Sequence, residues 1–294
     1  MSSGLLSLSH ERIEQLLAGY ARAVARRRWQ FFAGCVIMLV LTLFAAHFGE
    51  VDLSYLAHHI AAFTSYFSRI LPPLHFASFR HDVAEWYWNL GGWLKLLLDT
   101  VLIAYLATLA GALCAFAASF YAATNLSPAA PIRFAMTRLL EFCRTVPDIV
   151  FALLFVAAFG LGPLPGVLAI AIHTFGALGK LFTEVIENID MKPVEGVRST
   201  GATFLETVRF AAVPQVLSGF ASYALLRFEI NVRSGTVIGL VGAGGIGQDL
   251  FVAIRKFYYT DVSAILLMII ITVAAIDVVT GHIRQRLAGL EATR

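Results

Sequence analysis

Residues 184–214 read Glu184-Val-Ile-Glu-Asn-Ile-Asp190-Met-Lys-Pro193-Val-Glu195-Gly196-Val197-Arg198-Ser-Thr-Gly201-Ala202-Thr-Phe-Leu-Glu206-Thr-Val-Arg209-Phe-Ala-Ala-Val-Pro214. The stretch is too polar to cross a membrane and too regular to be a plain linker, and strongly apolar segments lie on both sides of it. It reads as two short helices. Pro193 suits a first helical turn, where its missing N–H has no partner to lose, and Gly201 suits a helix end, where the chain turns left-handed. From Ala202 onward, Phe204, Leu205, Val208, Ala211 and Ala212 recur at helical spacing, with Glu206 and Arg209 on the other face. A small rigid knob of mixed apolar and charged surface, held between two apolar segments, is a docking surface for a soluble protein.

The 294 residues of the chain are 59% hydrophobic and only 14% charged, with a mean hydropathy of +0.77. Soluble globular chains carry roughly 25% charged residues because their surface must be solvated, so much of this chain faces lipid. A net charge of +3, with no basic block interleaved with aromatics, speaks against a nucleic-acid partner. Cys35, Cys114 and Cys143 lie in or beside apolar runs without ligand spacing; they read as small buried hydrophobes, and no metal site is expected.

A helix crosses the hydrocarbon core with about 20 apolar residues. Six stretches qualify: 31–48, 94–121, 146–161, 166–182, 214–232 and 261–281. The third is expected to extend backward by a turn or two bearing Arg138, Glu141 and Arg144. The charged amphipathic segment 11–28 precedes the first run and no small-residue cleavage site follows it, so that run reads as a retained span rather than a signal peptide. The fold class is therefore all-α, a polytopic membrane protein of about six spans with a helical cytoplasmic loop. Its parts are a cytoplasmic segment (1–30), a first span with an external segment (31–93), a transmembrane domain (94–284) and a tail (285–294). Counted on alternate sides, fifteen Lys and Arg fall with both termini and the 184–214 loop, and six on the opposite side. Basic residues stay cytoplasmic, so both termini and the loop are expected inside. Segment 49–92 then lies outside, its Trp86, Tyr87, Trp88 and Trp93 reading as an interfacial belt, and His58, His59, His75 and His81 lacking metal-site spacing.

Glu195, Gly201 six residues later and Pro214 thirteen beyond resemble the loop motif of the membrane subunits of ABC importers. That motif reads Glu-Ala-Ala, three residues, Gly, nine residues, Ile, one residue, Leu-Pro. Gly196 and Val197 replace the two Ala, Ala211 the Ile and Val213 the Leu, with the spacing kept. Arg144-Thr-Val-Pro147 resembles a stretch at the start of a span in importers of the methionine type. Five further runs resemble the phosphonate ABC importer permease: Ala157-Ala-Phe-Gly-Leu-Gly-Pro163, His173-Thr174, Gly179-Lys180, Arg227-Phe-Glu-Ile-Asn-Val-Arg-Ser234 and Val241-Gly-Ala-Gly-Gly-Ile-Gly247. The resemblance implies a bacterial inner-membrane permease for phosphonate or a related phosphorus oxyanion. It implies as partners two copies of a cytoplasmic ATP-binding subunit, an extracytoplasmic substrate-binding protein and a second permease, identical or a close paralogue. Glu195, Gly196, Val197, Arg198, Gly201, Ala202 and Pro214 would form the loop that couples to the ATPase. No catalytic residue and no cofactor are expected on this chain.

Ionisable groups inside a span are functional candidates because a charge there is costly unless it faces protein or water. At about 1.5 Å per residue from Pro214, Arg227 lies about 20 Å and Arg233 about 28 Å along the fifth span, which puts Arg233 at the outer interface. Arg227 aligns with Asn231, and Glu229 with Arg233. Two readings stay open: Glu229 and Arg233 neutralise each other while Arg227 snorkels or pairs elsewhere, or Arg227, Asn231 and Arg233 line an anion route. His173 and Lys180 share a face of the fourth span, and Lys180 is close enough to the cytoplasmic end to snorkel. The run 242–247 fits a dinucleotide fingerprint letter for letter but sits between spans, on the external side. Gly242, Gly244, Gly245 and Gly247 are instead expected to form a gate or re-entrant turn. Rivals are a permease for another small solute such as methionine, and an ion-driven secondary transporter, which would need no docking loop.

Overall fold

The computed structural model describes residues 10–292 apart from 51 and 74. The first residues of the expected cytoplasmic segment, 1–9, and Arg294 of the tail lie outside the described residues. Two compact units divide the chain, residues 1–66 and 67–294. The first is dominated by α1 (His10–Phe48), whose stretch Leu17–Phe48 is long and apolar enough to cross a membrane. Its large side chains, Phe31, Met38, Leu43 and Phe44 among them, are all exposed. Cys35 is exposed with them. α2 (Leu53–Ile70) starts at Asp52, whose carboxylate accepts the amides of Ser54 and Tyr55 at 2.8 and 3.1 Å.

The second unit holds α3 (Phe79–Trp86), α4 (Leu90–Ala122), α5 (Ala130–Thr145), α6 (Asp148–Phe159), α7 (Pro163–Glu187), α8 (Met191–Ser199), α9 (Phe204–Thr207), α10 (Val213–Gly239), α11 (Ile246–Arg255) and α12 (Tyr259–Ala292). α4 and α7 pack along each other as the axis, flanked by α5, α6 and α10, while α12 lies on α10 and α11. Small residues allow the close approaches: a Cβ at Gly176 of α7 would stand 2.7 Å from the Leu140 carbonyl of α5. At the loop end a cluster of Phe120, Leu126, Phe182, Ile186, Val194, Val216 and Phe220 fills the space between helices. The Phe182 and Phe220 rings stack at 3.9 Å.

Four helices satisfy the length and hydropathy of a membrane span: the apolar part of α1, α4, α7 and the stretch Tyr259–Leu287 of α12. The expected third span is not one continuous helix. Pro147 forces Val146 out of the helical region, to φ −76° and ψ 122°, and α5 and α6 meet there at a bend of 85°. Counted as one broken span, the pair makes five. α10 is 27 residues long, about 40 Å, but Arg227, Glu229 and Arg233 make it too polar to pass as an apolar span.

Two expectations about side chains need correction. Trp93 is 2% exposed, and Trp86 and Trp88 donate their indole N–H groups to Thr260, Ser263 and Asp261 at the start of α12, each at 3.1 Å. Trp93 is thus packed inside the chain instead of belonging to a belt, whereas Trp88 keeps 67% of its surface exposed with its N–H fixed. Only Cys143 of the three cysteines is buried within the chain; Cys114, like Cys35, is exposed. Among the described residues no cluster of three His, Cys, Asp or Glu could hold a metal, and His75 pairs with Asp82 at 3.2 Å.

Candidate functional site

The 184–214 loop is built by local chemistry. Asp190 caps α8, its carboxylate accepting the Lys192 amide at 3.0 Å, and Pro193 falls in the first turn. The helix ends at Thr200, after which Gly201 adopts φ +84° and donates its amide to the Arg198 carbonyl at 3.0 Å. Thr203 and Glu206 then start a new helix: the Glu206 carboxylate accepts the Thr203 amide at 2.7 Å and its hydroxyl at 2.8 Å. These bonds hold the Glu206 carboxyl below the usual carboxylate range.

The second short helix is not a separate element. α9 runs through a π turn (Val208–Ala212) directly into α10. Pro214 explains the π turn: it has no N–H for the Phe210 carbonyl, and its ring would strike that carbonyl in a regular helix. Gln215 completes the joint. Its side-chain amide donates to the carbonyls of Ala211 (2.8 Å) and Asp190 (3.2 Å), and its oxygen accepts the Asp190 amide at 3.1 Å. The base of α8 is thereby tied to the base of α10, while Val194 is fully buried against the bundle. A force on α8 is carried to a membrane-length helix.

The outer surface of this joint is unoccupied by the chain itself. Glu195, Gly196, Arg198, Gly201 and Pro214 are exposed, Val197 and Ala202 half-buried. No atom lies within 4 Å of a Cβ built at Gly196 or Gly201. Leu205 and Phe210 are 68% and 63% exposed, with the Arg209 guanidinium over the Phe210 ring at 5.3 Å.

In the bundle, Asn231 of α10 donates to the hydroxyls of Thr108 (2.8 Å) and Thr174 (2.9 Å), which stand near the middle of α4 and α7. Arg227 Nε points at the same Thr174 hydroxyl at 3.5 Å. The Asp148 carboxylate acts electrostatically on both Arg227 and His173, yet among the described residues no carboxylate oxygen lies within 4.0 Å of Arg227. His173 Nδ1 is 3.0 Å from the Val146 carbonyl, the one freed by the α5–α6 bend. Arg227, Asn231 and His173 are thus brought together, with Thr108 and Thr174, which sequence reading missed. Thr residues in apolar helices are commonplace, and only tertiary packing reveals these two. Lys180 is apart: it pairs with Glu184 at 3.5 Å and lines a cavity of about 410 Å³ with Arg133 and Arg138.

Asn231 is level with the centre of α4 and α7, and Arg233 follows half a turn on. It forms an ion pair with Glu229. α10 ends at Gly239, where a Cβ would stand 2.8 Å from the Gly244 carbonyl. The following run dips into the bundle. Gly242, Gly244 and Gly245 all have positive φ, Gly247 lies under the Thr236 carbonyl, and the Ile246 amide donates to the Thr100 hydroxyl in α4 at 2.9 Å. The run is a tight glycine turn packed against α4 and α10, with helices on both sides and no preceding strand among the described residues.

Residues 107–289 match the family model described as binding-protein-dependent transport system inner membrane component. The chain is 34% identical over 280 residues to the phosphite transport system permease protein PtxC of Stutzerimonas stutzeri, covering 95% of this chain and 96% of that one. It is 40% identical over 190 residues to the phosphate-import permease protein PhnE of Mycolicibacterium smegmatis, covering 65% of this chain and 36% of that one. Among solved structures, the fold resembles a chain of an inward-facing MetNI methionine ABC transporter, with a TM-score of 0.57 at 18% identity over 66% of this chain and 95% of the other. With the family model covering residues 107–289 and a relative 34% identical over 95% of this chain, the chain belongs to the family of binding-protein-dependent transport system inner membrane components.

Proposed function

We propose that this chain is the permease of an ABC importer that carries phosphonate, phosphite or phosphate into the cytoplasm. The observation that carries the substrate class is Arg227: a half-buried guanidinium at bundle mid-depth, its Nε 3.5 Å from the Thr174 hydroxyl, with no carboxylate in salt-bridge contact among the described residues. A guanidinium left in this state is suited to a passing oxyanion, whose oxygens it meets in a bidentate manner. The phosphite and phosphate permeases among its relatives support the same class.

ATP would be hydrolysed by two cytoplasmic partner subunits seated on the α8 joints of two permease copies, identical or paralogous, while an extracytoplasmic binding protein delivers the substrate. The chain would cross the membrane six times with both termini cytoplasmic, and would itself carry no cofactor. Likeness to a methionine transporter lies in the fold alone at 18% identity, and nothing in the Arg227 layer favours a zwitterion. The test is co-purification of the tagged chain followed by mass analysis and an uptake panel in proteoliposomes. Recovery of an ATPase with uptake of a phosphorus oxyanion is expected; uptake of methionine without any oxyanion would overturn the substrate class.

A further inference from the structure

Glu229 is 9% exposed at its side chain and holds two arginines at once. Its Oε1 pairs with Arg233 on α10, and its Oε2 lies 3.7 Å from Nη2 of Arg284 on α12. Arg284 is the last residue of the transmembrane domain read from the sequence, and its Nε is buried without a hydrogen-bond partner. One carboxylate therefore faces two guanidiniums, an excess of one positive charge with a buried donor to spare. The surface beside it is not apolar. The Arg233 side chain is 54% exposed, and Asp277, two turns before Arg284 on α12, is exposed within the apolar stretch 264–281. Among the described residues Asp277 has no cation within 4.0 Å. Charges at this depth do not face lipid tails; they face water or protein.

We infer that Glu229, Arg233 and Arg284 form a second oxyanion station, on the α10–α12 face, distinct from the Arg227 layer. Glu229 is the resident counter-anion that keeps the two guanidiniums together when the station is empty, and the passing oxyanion takes over part of their hydrogen bonding. Glu229 and the substrate compete for the same donors, so the station holds an anion weakly enough to let it leave. This role rests on the import of phosphorus oxyanions proposed above.

The test uses the intact permease–ATPase complex in nanodiscs without binding protein, with inorganic phosphate as probe and its phosphorus NMR line broadening as readout. Parental complex should broaden the line saturably. Arg284→Gln should raise the Kd by roughly tenfold, a factor equal to about 1.4 kcal/mol, and Arg284→Lys should recover part of it. Glu229→Gln should lower the Kd, because the internal competitor is gone, and slow uptake in proteoliposomes by delaying release. An unchanged Kd in Arg284→Gln would overturn the station, as would loss of complex assembly in Arg284→Gln and Glu229→Gln alike with no change in phosphate binding by the assembled fraction, the result for a purely structural triad. Uptake by the parental importer separates the levels: if it carries no phosphorus oxyanion the substrate proposal fails, whereas normal uptake with an unaltered Arg284→Gln Kd removes this station alone.

Discussion

Gly201→Asp separates folding of the loop from its work. In the chain itself Gly201 is exposed at φ +84°, and a Cβ there meets nothing within 4 Å. The intramolecular cost is therefore only left-handed backbone strain, about 1–2 kcal/mol for an L-residue and less for Asn or Asp, whose short side chains tolerate that region. Such a loss falls on a helix end already fastened by the Gln215 bridge and the buried Val194, so membrane insertion should be normal. Against a docked partner the same carboxylate would be desolvated and unpaired, which costs several kcal/mol. The two contributions differ enough to be told apart with three variants. Gly201→Asn supplies a tolerated backbone without charge, Gly201→Ala supplies strain without charge, and Gly201→Asp supplies both bulk and charge. Co-purification of the ATPase and uptake in proteoliposomes should be near parental for Asn, modestly reduced for Ala, and lost or nearly lost for Asp. If Asp retains the ATPase and transports at the parental rate, nothing is docked at Gly201 and the loop is not the coupling element.

Arg227→Ala should slow oxyanion uptake at least tenfold, the loss of one charge-assisted contact of about 1.5–3 kcal/mol, with assembly and basal ATP hydrolysis kept; parental uptake would make Arg227 merely structural. Cysteine at Thr203 should be labelled by an impermeant reagent only from the cytoplasmic side and cysteine at Ser65 only from outside, and Thr203 labelling from outside would invert the topology. Gly247→Ala drives a methyl into the Thr236 carbonyl; overpacking of this kind costs about 1–3 kcal/mol, read as a lowered thermal midpoint of the purified chain, and an unchanged midpoint would show that the glycine turn is loosely packed.

Features set by near neighbours along the chain could be read before the structure. Pro193 and Gly201 act through turns and caps within a few residues, so α8 and its end at Gly201 were legible, as was a glycine turn at 242–247. Features set by distance along the chain were not. Asn231 meets hydroxyls 57 and 123 residues away, and Arg284 reaches Glu229 across two helices. The start of the fifth helix was not legible either: the sequence reads it from Pro214, whereas the helix runs from Phe204 through a π turn into α10. The signal for the broken third span was present in Val146-Pro147, since the residue before proline avoids the helical region. What could not be read was that the His173 ring would accompany the freed carbonyl.

ATP dependence of uptake bears most directly on a mechanically driven permease. In proteoliposomes holding the complete complex, with loaded binding protein on the external face and ion gradients collapsed by ionophores, phosphite uptake should proceed when ATP is supplied to the ATPase side and stop when a non-hydrolysable analogue replaces it. Uptake that continues without ATP and disappears with the ion gradient would contradict the account and identify an ion-driven carrier.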